Sequence, residues 1–74
     1  MSQLIIDALK AKIVSNRLQA VANLQTYLST SVGIGEHPDI VTECYKLVED
    51  VAKADGEMQT LTTLIDTANT SPQG

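Results

Sequence analysis

Phenylalanine and tryptophan are missing altogether, and Tyr27 and Tyr45 are the only aromatic residues among 74. A core without large rings must be packed from Leu, Ile, Val, Ala and Met. That suits helices laid face to face and suits an aromatic-lined ligand pocket poorly. Cysteine occurs once, at Cys44, so no disulfide can close within the chain, and a single thiol fits a reducing compartment such as a cytoplasm. His37 and Cys44 are the only soft metal ligands, too few for a structural site of three or four donors; no metal and no cofactor are expected. Basic residues are also sparse. Lys10, Lys12, Arg17, Lys46 and Lys53 stand scattered against nine acids, leaving a net charge of −4, which argues against a nucleic-acid partner. No apolar run is long enough to span a bilayer, and the opening MSQLIIDALK has neither the basic flank nor the apolar block of a signal peptide. A cytoplasmic location without a membrane is the expectation.

A chain this short buries little surface, and small domains usually rely on a disulfide, a metal or a partner. With the first two disfavoured by composition, a partner is expected. At 43% hydrophobic residues the chain is too apolar to be disordered.

Proline and glycine are absent from Ser2 to Val32, where Leu, Ala, Gln and Lys dominate. From Pro38 to Asn69 Gly56 is the only further breaker. The spacing predicts one domain over residues 1–69, with helix 1 over about 2–32, a loop over 33–37 and helix 2 over about 38–69. The polar NTSPQG end makes 70–74 a frayed tail. A loop of about five or six residues favours antiparallel neighbours. The expected fold is therefore all-α, an antiparallel two-helix hairpin.

Helix 2 carries the clearer pattern. Steps of four and three from Ile40 reach Cys44, Leu47, Val51, Ala54, Met58, Leu61, Ile65 and Ala68, all apolar. Val41, Val48, Ala52 and Leu64 broaden this coiled-coil-like seam, and Glu43, Lys46, Glu49, Asp50, Lys53 and Glu57 fall off it. The seam passes Asp55-Gly56 without a change of phase, which favours one continuous helix over a break. Helix 1 is different. Lys12, Ser15, Asn16, Gln19, Asn23, Thr26 and Thr30 occupy one polar arc, while Leu4, Ile6, Leu9, Ile13, Val14, Leu18, Ala20, Val21, Leu24, Tyr27 and Leu28 cover most of the rest. Asp7, Lys10, Arg17 and Gln25 interrupt that surface. One facing helix cannot cover so wide an apolar arc, so the excess must be buried by self-association into a helical bundle, or in a groove of a larger protein.

The stretch GIGEHPDI, residues 33–40, concentrates two glycines, the single histidine and a proline. A phosphate-binding loop would follow a strand and lead to a lysine, and neither is present. Punctuation explains more. Gly33 can end helix 1 in the left-handed conformation, Gly35 adds a second permissive position, Pro38 fits the first turn of helix 2, and Glu36 and Asp39 place negative charge at its positive end. Glu36 and His37 at the tip are then candidates for contact with a partner. No nucleophile–base pair or carboxylate pair can be assembled, so an enzyme is not expected.

Tyr27-Leu28 followed by GIGEHPDIV and a helix containing Val48-Glu49 resembles small uncharacterised proteins of tailed bacteriophages, particularly T4-like phages of marine bacteria such as cyanobacteria. The similarity runs from about Ala22 to Leu61 and rests on Gly33, Gly35, Glu36, His37, Pro38, Asp39 and Ile40. The resemblance implies a compact phage protein, either part of the virion or an accessory that binds and modulates a host protein in the host cytoplasm. It identifies no activity.

Overall fold

The computed structural model describes residues 2–29 and 39–70, and of Thr70 only the backbone. They form two α-helices, α1 (Gln3–Ser29) and α2 (Ile40–Thr70). Residues 30–38 lie outside the described part, so the readings of Gly33, Gly35, Glu36, His37 and Pro38, and of the end of helix 1, fall there. The tail at 71–74 does too.

Each helix starts on a residue suited to the task. The Ser2 carbonyl accepts the Ile6 N–H at 3.0 Å, and its Oγ accepts the Ile5 N–H at 3.4 Å. The first is the opening helical bond; the second satisfies the Ile5 N–H, which would otherwise lack a helical partner. Gln3 Nε2 donates to Asp7 Oδ1 at 2.8 Å one turn on. The second helix begins at Ile40, and Asp39 stands just before it, its carbonyl accepting the Glu43 N–H at 3.0 Å. That is the N-cap position, where aspartate is among the preferred residues and its charge opposes the helix dipole.

The α2 helix runs through Gly56 without a break, as the unbroken seam predicts. Helical continuity there costs about 1 kcal/mol relative to alanine, and a Cβ added at Gly56 would meet no atom within 4 Å. Gly56→Ala should therefore raise stability by about 1 kcal/mol. A thermal melt should register several degrees' rise in Tm, and an unchanged or lower Tm would contradict the open surroundings of this position.

The two helices pack antiparallel. Gln3 and Ile6 lie beside Ile65 and Ala68 at one end, and Asn23 and Tyr27 lie beside Glu43 and Leu47 at the other. At 1.5 Å per residue the helices of 27 and 31 residues are about 40 and 46 Å long, so the described hairpin is a rod and not a globule. Only Ile6, Ala20, Ala54 and Leu61 are buried among the described apolar residues. A single interhelical seam is thus all the interior the hairpin has.

Candidate functional site

The seam positions on α2 form its least exposed stripe. Leu61 and Ala54 are buried, and Ile40, Cys44, Leu47, Val51, Met58 and Ile65 are half-buried. Cys44 is a free thiol within that stripe. Ala68 is exposed near the helix end. Facing them on α1, Ile6, Ile13, Ala20 and Tyr27 recur every seven residues and are buried or half-buried, with Leu24 beside them. Three of the residues expected to widen the α2 stripe stand out in solvent instead: Val41, Val48 and Leu64 are 78%, 51% and 54% exposed. A helix 10–12 Å across presents only one strip to a single neighbour, so flanking apolar positions stay outside.

The two sides of the hairpin differ in chemistry. On one side, Asn16, Gln19 and Asn23 of α1 face Asp50, Lys53 and Glu57 of α2 across an open polar groove. The groove continues toward the free helix ends, where Leu9, Ile13, Leu61 and Leu64 line an apolar recess of about 640 Å³ rimmed by Lys12 and Glu57. The opposite side carries one ion pair, Arg17 Nε to Asp55 Oδ1 at 2.7 Å, linking the helices at mid-rod. Helical spacing puts Val14 and Val21 on the Arg17 side of α1, three and four residues away. By the same rule Ala52 and Val48 share the Asp55 side of α2. By helical spacing Asp7, Lys10 and Gln25 of α1 share this side too, so it is apolar only between them.

Arg17 and Asp55 are 47% and 57% exposed, so water screens their attraction. Their pairing pins the register between helices more than it holds them together. A double-mutant cycle with Arg17→Ala and Asp55→Ala should return a coupling of no more than about 1 kcal/mol. A coupling of several kcal/mol would mean the pair is shielded from water.

Ten large apolar side chains of the described residues are exposed, including Leu4, Leu18, Leu28, Val41 and Tyr45. On α1, Leu4, Val14, Leu18 and Leu28 fall into a second register completed by exposed Ala11 and half-buried Val21, while Ile5 and Leu9 lie outside it. Leu4, Ala11, Val14, Leu18, Val21 and Leu28 follow one another by steps of seven, three, four, three and seven. This is coiled-coil spacing, displaced by roughly a third of a turn from the Ile6–Ile13–Ala20–Tyr27 row. The α1 helix has two apolar seams, and α2 covers one. The wide apolar arc announces this in the sequence. The Arg17–Asp55 contact had no such signal, since Arg17 reads only as an interruption and Asp55 as part of a possible break.

Among the described residues no three of His, Cys, Asp or Glu come together as a metal site would require. No described helix is long and apolar enough to cross a membrane. No protein-family model matches the chain, and neither the curated proteins nor the solved structures yield a match.

Proposed function

We propose that this chain is a non-enzymatic assembly module that works by presenting apolar helix faces to another polypeptide. The supporting observation is the imbalance, among the described residues, between ten exposed large apolar residues and two buried ones, Ile6 and Leu61. Contiguous exposed apolar surface on so small a protein marks an interaction site. The likeness of the GIGEHPDI region to small tailed-phage proteins supports a place in a phage particle, with Glu36 and His37 as further contact candidates. The size of the complex holding the chain in native extract tests this reading. Migration well above 7.9 kDa is expected, and mass spectrometry of purified particles should find the chain among their components. A chain that runs alone at 7.9 kDa in extract would defeat the reading.

The recess between Leu9, Ile13, Leu61 and Leu64 favours one second reading, an accessory that binds a host protein. An apolar recess rimmed by a lysine and a glutamate suits an inserted helix or side chain of a different protein. A chain absent from purified particles but bound to a host protein would select it.

A further inference from the structure

We infer that the polypeptide covering the apolar side of the hairpin is a second copy of this chain, packed about a two-fold axis to make a four-helix bundle. The inference rests on the assembly reading and names its partner.

Three observations carry it. The first is exposure. Ten large apolar side chains of the described helices stand in solvent, while Ile6 and Leu61 are the only large ones buried among the described residues, so the hairpin leaves more apolar surface open than its one seam covers. The second is sidedness. Leu18 and Val21 of the spare α1 seam and the exposed apolar residues at the start of α2 (Val41, Tyr45, Val48) belong to the loop-proximal half of the rod, with Val14 just past its middle. Val14, Val21 and Val48 lie on the side of the Arg17–Asp55 pair, away from the polar groove. Two seams on one helix at coiled-coil spacing require a second neighbouring helix of matching length. Another copy supplies two, of 27 and 31 residues. The third is charge. The chain carries −4 overall, which would oppose self-association. At mid-rod, however, Arg17 and Asp55 offset each other within one copy, so that pair brings no net charge to the contact. An isologous contact needs a surface compatible with itself, and this one is.

The arrangement places Asn16, Gln19, Asn23, Asp50, Lys53 and Glu57 toward solvent. Sedimentation equilibrium of the purified chain should give twice 7.9 kDa at micromolar concentration. Val48→Glu on the apolar side should weaken the dimer by about a hundredfold or more, because it would bury an unpaired charge. Gln19→Glu in the polar groove should leave association within about threefold of wild type. Because Val48→Glu could unfold the chain along with the dimer, carbene footprinting of the unmodified protein supplies a second readout. Leu18, Tyr45 and Val48 should become protected as concentration rises through the association range, with Leu64 and Leu9 still labelled. A monomeric wild-type chain would overturn the second-copy inference. So would a dimer that protects Leu9 and Leu64 while leaving Val48 labelled. If the purified chain is monomeric while the native complex is large, the assembly reading stands and only the identity of the partner falls.

Discussion

Leu61→Asp is expected to abolish the helical circular dichroism of the chain at 25 °C, while Leu64→Asp, three residues away, leaves it folded. Leu61 is 8% exposed and is the one large side chain of the α2 seam that is fully buried; Leu64 is more than half exposed. Truncating a buried leucine alone costs about 2–5 kcal/mol. Placing a carboxylate in that seam adds the cost of burying a charge, which Lys12 at the rim of the same recess offsets only in part. A domain of this size rarely holds more than about 3–5 kcal/mol in its core, so the two losses together exceed what it has. Leu61→Met supplies the control for shape, expected to cost less than about 1.5 kcal/mol. If Leu61→Asp stayed as helical and cooperative as wild type in a urea titration, the α2 seam would not be what holds the hairpin.

That contrast shows what was legible in the sequence. In α2 the steps of four and three pick out one stripe, and the charged residues mostly avoid it, so its inner face could be read directly. Val41, Val48 and Leu64 were harder. They are apolar neighbours of the stripe, and nothing in their chemistry separates a residue just inside the contact from one just outside. In α1 the same method yields two rows of nearly equal quality, Ile6–Ile13–Ala20–Tyr27 and Leu4–Ala11–Leu18 with its companions. Local pattern cannot choose between them, because either would satisfy a helix laid alongside. The choice is tertiary: it depends on how the loop sets the angle and register of α2. The same register brings Arg17 against Asp55 across 38 positions of chain, and a hairpin slipped by one helical turn would separate them. The surplus of apolar surface was therefore visible before its location was. For the GIGEHPDI turn the gain is confined to Asp39, which caps α2 through its carbonyl.

Ala54→Leu should cost about 1–3 kcal/mol, enough to remove much of the stability of the hairpin, although it adds only apolar atoms. Ala54 and Ala20 are the two most buried residues of the described chain, at 2% and 4% exposed, and both border the same stretch of the groove between the helices. Small side chains there permit a close approach of the two helix axes at mid-rod. Leucine at this point finds no space between the axes, although the open polar groove lies beside it. It must push α1 and α2 apart or leave its preferred rotamers, and moving the axes also loosens Leu61, Met58 and Ile13 on either side. Ala8→Leu is the matching control. Ala8 is exposed on α1, leucine has nearly the helix propensity of alanine, and the change should stay within about 0.5 kcal/mol. Urea unfolding of both variants at one protein concentration gives the comparison. Equal midpoints for Ala54→Leu and wild type would mean that the helices meet elsewhere along the rod, and the assignment of the second α1 seam to a partner would lose its basis.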